Sequence, residues 1–99
     1  MKIHFASHDL QRLYEDATFA HPRLDADIVR SFRKKVGLIT AVDDERDLWA
    51  MRSLRFEKLK GDRAGQHSIR LNDQWRLILR LERTPQGRVV VIIEVVDYH

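Results

Sequence analysis

The chain has no cysteine. That excludes disulfide staples, a thiolate nucleophile and a cysteine-based zinc site, and it frees folding from any need for an oxidising compartment. Long apolar runs are missing too: nothing approaches the roughly 20 residues that span a bilayer. The opening Met1-Lys2-Ile3-His4-Phe5-Ala6-Ser7-His8-Asp9 lacks the continuous apolar segment of a signal peptide. A cytoplasmic setting without membrane contact is therefore expected. No repeat, low-complexity tract or linker interrupts the 99 residues, so residues 1–99 read as a single domain. A chain of this length buries roughly two thirds of its unfolded surface, enough for one core.

Charge is what the sequence has in surplus. Charged residues make up 33% and hydrophobic residues 43%, a composition that folds into an ordinary globule rather than a disordered chain. The net charge of +3 is unevenly spread: residues 1–51 hold 8 Lys/Arg against 9 Asp/Glu, and residues 52–99 hold 10 against 6. An anionic partner such as nucleic acid would be drawn to the C-terminal half. A solvated basic face is the commoner cause of so modest an excess.

Hydrophobic periodicity divides the chain in two. Lys2 to Phe5 alternates weakly as a short strand. Ser7 stands as an N-cap before Leu10, Leu13, Tyr14 and Ala17, which predicts a helix from about His8 to Ala17. Leu24, Ile28, Phe32, Val36 and Ile39 then mark one face of a longer helix that ends near Val42. Asp43-Asp44-Glu45 suits the positive start of a third, short helix through Leu48, Trp49 and Met51. From Leu54 onward the period is two. Arg55 to Leu59 is a candidate strand, and residues 60–65 form a connection punctuated by Gly61 and Gly65. Gln66 to Leu71 is a second strand with His67, Ile69 and Leu71 on one face. After a turn at Asn72-Asp73, Trp75, Leu77, Leu79 and Leu81 alternate with Arg76, Ile78, Arg80 and Glu82. A turn at residues 84–87 leads into Val89 to Val96, apolar on both sides except at Glu94, as in a strand covered on each face. The expectation is an α+β fold: a short N-terminal strand and two to three helices packed on one face of a mainly antiparallel, twisted sheet of four to five strands.

Alternation also sorts the candidate functional groups. Arg70, Arg76 and Arg80 face away from the Trp75 and Leu77 core side, where forked guanidinium groups on a rigid sheet suit phosphate better than flexible lysines do. The plainer role, solubilising an exposed sheet face, fits the spacing equally well. Lys60, between a strand and Gly61, is a weaker cation candidate, because no Walker loop surrounds it. Asp97-Tyr98-His99 follows the most apolar strand and brings together a carboxylate, a phenol and an imidazole that titrates near neutrality. RNA is cut without metal when a base takes the 2′-hydroxyl proton, cations hold the phosphorane and an acid protonates the leaving oxygen. His4, His8, His21, His67 and His99 show no compact metal-ligand spacing, apart from His4 and His8, which fall in different elements. No metal or cofactor is expected.

Three stretches together form a pattern: residues 55–65 (Arg55 through Lys60-Gly61 to Gly65), residues 68–76 (Ser68-Ile69-Arg70 through Trp75-Arg76) and the terminal Asp97-Tyr98-His99. In this order and spacing they closely resemble the HigB-like toxins, a branch of the RelE/ParE superfamily. The match is strong over the C-terminal half and extends to the N-terminal helices only by layout. The resemblance implies a RelE-like fold and a toxin of a bacterial type II toxin-antitoxin module. It further implies a metal-independent endoribonuclease that depends on the ribosome and cleaves translated mRNA in the A site. The implied partners are the ribosome and mRNA and a HigA-type helix-turn-helix antitoxin, through which alone operator DNA is met. Carried over by position, Lys60 and Arg76 match phosphate-holding residues, and Asp97, Tyr98 and His99 match the catalytic terminus, with His99 as acid or base and Tyr98 orienting the base or sharing the proton work. Arg70, Arg55, Lys58, Arg63 and Arg80 are the implied RNA- or phosphate-binding residues.

Two departures stand out. Glu57 replaces a histidine that some active relatives carry three residues before the motif lysine; it is either a base or a structural partner of Arg55 or Lys58. Arg80-Leu81-Glu82 stands where many relatives have aromatic residues, which removes a base-stacking surface. Two other functions share the fold: a ParE-like inhibitor of DNA gyrase without nuclease activity, and a degenerate toxin that only binds antitoxin or RNA.

Overall fold

Three short polar side chains start the helices of this computed structural model, which describes residues 1–97. Ser7 accepts a hydrogen bond from the Leu10 amide (3.2 Å) ahead of α1, His8–Glu15. Asp25 accepts from the Ile28 amide (3.0 Å) ahead of α2, Ala26–Ala41. Asp44 accepts from the Arg46 amide (2.8 Å) ahead of α3, Glu45–Ala50. Each meets a backbone donor that the first helical turn leaves open. Five strands complete the fold: β1 Lys2–Phe5, β2 Glu57–Lys58, β3 His67–Arg70, β4 Trp75–Thr84 and β5 Gly87–Asp97. Among the described residues no helix is long and apolar enough to cross a membrane.

The elements depart from the sequence expectation at their ends, for local reasons. Helix α1 stops at Glu15 rather than Ala17, because the Asp16 carboxylate accepts from both the amide and the hydroxyl of Thr18 (2.9 and 2.6 Å). Arg33 of α2 then donates to the carbonyls of Leu13 (2.8 Å) and Asp16 (3.1 Å), so a side chain of the second helix closes the first. Helix α3 ends at Ala50, and Met51 is extended. The expected strand from Arg55 to Leu59 shrinks to Glu57–Lys58. A 3-10 turn at Arg52–Leu54 ends with Arg55 in the left-handed region at φ 45°, and the chain becomes extended only beyond it. A second 3-10 turn, Gly61–Arg63, lies between β2 and β3.

The strand order is β1-β5-β4-β3-β2. Strand β1 runs parallel to β5, and every other neighbouring pair is antiparallel. Gly87 closes the β4–β5 hairpin at φ 118°, a conformation that favours glycine. Ile78 faces Glu94 and Leu79 faces Ile92, so Ile93 is the extra residue of a bulge. One sheet face packs Ile69, Leu77, Leu79 and Ile92 against Leu13, Ile28, Phe32 and Ile39 of the helices, all 0–2% exposed. Each such buried side chain contributes roughly 1.5–3 kcal/mol. The Ser31 hydroxyl donates to the Leu71 carbonyl (2.7 Å) and ties α2 to the end of β3. The other face carries Ser68, Arg70, Arg76, Ile78, Arg80 and Glu94, as alternation from the core face requires.

Candidate nucleic-acid interface

Arg70 on β3 and Arg76 on β4 are directly opposed in the register. Like charges facing each other across strands destabilise a sheet, so the pair needs local compensation. Arg70 is ion-paired with Asp73, whose side chain is 95% exposed, and an ion pair that open to water is worth little. Arg76 donates to the Asn72 carbonyl (2.8 Å), which fixes its direction with a neutral group. The Asn72 side chain in turn accepts from the amides of Gln74 and Trp75 (2.9 and 2.8 Å), holding the turn that positions both arginines. Lys35 of α2 joins this field: burial, then the charges of Lys34 and Arg70, hold its pKa below the ordinary lysine value. Lys35 carries no distinguishing mark in the sequence, since it is one of several cations along its helix.

The other implied cations divide between free and neutralised. Lys60 is exposed and shares a shallow cleft with Glu57 and Arg63; it has no ion-pair partner among the described residues. Glu57 pairs with Ser68 in the register and so lies on the arginine face. Neither Arg55 nor Lys58 pairs with it among the described residues. Arg80 is held by Glu82, donating from Nε (2.9 Å) and Nη2 (2.7 Å) to one carboxylate oxygen. Arg63 is ion-paired with Glu94 and donates to Gln66 (3.0 Å). Arg55 is exposed at its left-handed position. Lys58 pairs with His67 in the register and lines a different cleft, beside Glu45 and Arg88.

The terminal motif begins on the other side. Asp97 faces Trp75 and Val96 faces Arg76, so alternation turns Asp97 away from the arginines. Its carboxylate accepts from the Gln74 side chain (2.8 Å) and borders a groove with Ser7, Asp9, His21, Arg23 and Leu24. Tyr98 and His99 lie outside the described residues. His67, expected on the core face, is 6% exposed there. Its ring stacks on Phe56 at 4.9 Å and meets Trp49 edge-on at 6.2 Å. Burial, the largest influence, lowers its pKa, aided by Lys58 and opposed by Glu45. The arrangement thus offers one sheet face with opposed guanidinium groups and an exposed ammonium at its margin, groups suited to holding a phosphodiester backbone.

The chain is similar to known proteins over most of its length. The family model of the HigB-like toxin, the RelE-like toxin of the type II toxin-antitoxin system HigB, matches residues 3–99. Toxin HigB-1 of Vibrio cholerae is 34% identical over 80 residues, covering 81% of this chain and 83% of that protein. A solved structure described as a YoeB/ParE toxin from Agrobacterium tumefaciens aligns over 100% of both chains with a TM-score of 0.60 and 21% identity. That last likeness concerns the fold. With the family match running from β1 through β5, this chain belongs to the HigB-like toxins of type II toxin-antitoxin systems.

Proposed function

We propose that this toxin is a ribosome-dependent endoribonuclease that cleaves translated mRNA in the A site without a metal ion. The observation that carries the reading is the opposed pair Arg70 and Arg76 with Lys35 in electrostatic reach. Each forked guanidinium group can give a phosphodiester charge-assisted hydrogen bonds. In this reading the 2′-oxygen attacks the adjacent phosphorus and the bond to the 5′-oxygen breaks, leaving a cyclic phosphate and a 5′-hydroxyl. His99 and Tyr98 handle the two proton transfers, from the 2′-hydroxyl and to the leaving oxygen. Arg76 and Lys60 hold the charge on the pentavalent phosphorus, and Arg70 positions the neighbouring backbone. Asp97, which accepts from Gln74, completes the terminal motif by orienting the segment that carries the two proton-transfer groups. Glu57 lies on the arginine face, where a carboxylate is a candidate base.

As a type II toxin the chain has an antitoxin partner, which we assign to the HigA type with a helix-turn-helix; operator DNA is met only through it. A ribosomal target places the site of action in the cytoplasm. Expression without antitoxin is expected to stop growth, and His99→Ala to restore it at unchanged protein level and thermal stability. Full toxicity in that variant would remove His99 from the mechanism. Growth arrest with gyrase-DNA breaks and intact mRNA would assign the chain to the gyrase inhibitors instead.

A further inference from the structure

Ser68 and Ile78 pair directly across β3 and β4 on the arginine face, and both are 0% exposed. Neither belongs to the core cluster that the helices join. The Arg63 guanidinium donates to Gln66, just before β3, and to Glu94, which faces Ile78 on β5. Strand β4 lies between β3 and β5, so this ion pair links the connection before β3 with the strand beyond β4, and an arginine stem is apolar enough to serve as cover. The Ser68 hydroxyl has no hydrogen-bond partner among the described residues. A buried donor left unmade costs about 1–3 kcal/mol, and alanine would fill the same space without that cost. Folding therefore does not account for the serine; a ligand that accepts its hydrogen bond does.

We propose that Arg63 and Glu94 form a clasp over a second phosphate subsite in which Ser68 is the buried donor. A backbone phosphate displaces the Glu94 carboxylate, Arg63 transfers from one anion to the other, and the uncovered Ser68 hydroxyl donates to a phosphate oxygen. The position suits an RNA backbone: Ser68 and Arg70 are two residues apart on β3, as are Ile78 and Arg76 on β4, about 7 Å along the sheet. Lys60 and Glu57 border the cleft into which Arg63 opens. The inference rests on the nuclease reading and adds to it a subsite, two residues outside the motif cations and a mechanism of opening.

The test is the affinity of the purified full-length chain for a short 2′-O-methyl oligoribonucleotide, which binds but is not cut. Glu94→Gln should tighten binding several-fold beyond Asp27→Asn, which makes the same charge change at the remote, exposed Arg30 pair. Arg63→Gln added to Glu94→Gln should abolish that gain. Ser68→Ala should weaken binding roughly 5- to 10-fold, the worth of one net hydrogen bond, while its melting temperature stays equal or rises. Wild-type affinity in Ser68→Ala overturns the subsite, and a lower melting temperature in Glu94→Gln with no gain in affinity reduces the clasp to a structural strap. Cleavage of translated mRNA is scored separately. Cuts by a chain whose Ser68→Ala variant binds normally overturn the clasp alone, and the expected affinity changes without cuts support the subsite while counting against the nuclease.

Discussion

His67 is a titratable ring kept among aromatic neighbours, with neither nitrogen hydrogen-bonded among the described residues. Because burial lowers its folded-state pKa below the ordinary value of about 6.5, the unfolded chain binds more protons between the two values. Stability should therefore fall as pH drops through about 6.5 and level off below the folded-state pKa. Thermal melts between pH 5 and 8 should show this slope, and His67→Phe should flatten it; an equally steep slope in the variant would contradict the assignment. On the opposite face, Arg76→Ala removes a charged hydrogen bond, worth about 1.5–3 kcal/mol, from phosphate binding. Titration with the same oligoribonucleotide should register that loss, and unchanged affinity would take Arg76 out of the interface. Which residues share a face was legible from alternation, because Arg70, Arg76 and Arg80 each stand one residue off a clear apolar stripe. Which of them are neutralised was not: Glu94 reaches Arg63 from 31 residues away, a contact that only the folded sheet creates.

Helix α1 depends on its neighbours at both ends. Ser7 caps its start, Arg33 of α2 closes its end, and Leu10 and Leu13 bury its inner face. Arg33→Ala should cost about 1.5–3 kcal/mol, since a charged donor is lost from two carbonyls. Phe32→Ala, in the middle of α2 at 0% exposure, should cost about 3–5 kcal/mol. Denaturant unfolding checks both, and a smaller loss at Phe32 than at Arg33 would contradict the packing described. Long periodic elements such as α2, β4 and β5 were readable because their pattern repeats several times. Strand β2 was not, since the left-handed Arg55 breaks an apparent run of alternation and leaves two paired residues. The stop of α1 depends on Arg33, a side chain from another helix, which no local pattern records.

Over the whole molecule, the sheet divides an apolar, helix-covered side from a basic side closed in part by its own acids. Arg63, Arg70 and Arg80 are ion-paired with Glu94, Asp73 and Glu82, and Arg76, Lys35 and Lys60 add to the cationic field. Binding to single-stranded RNA should then weaken linearly with the logarithm of salt, with a slope near −0.7 for each phosphate held. Lys35→Gln should lower the slope by about one contact. The terminal motif was legible in sequence as a triad, and strand register puts its first residue, Asp97, on the Trp75 side. The most direct measurement is primer extension on an mRNA translated in a reconstituted system with the purified toxin. New 5′ ends in codon register are expected, absent when ribosomes are omitted and reduced roughly 10- to 150-fold by Arg76→Ala. An intact message under conditions where the same preparation arrests growth would contradict the nuclease reading.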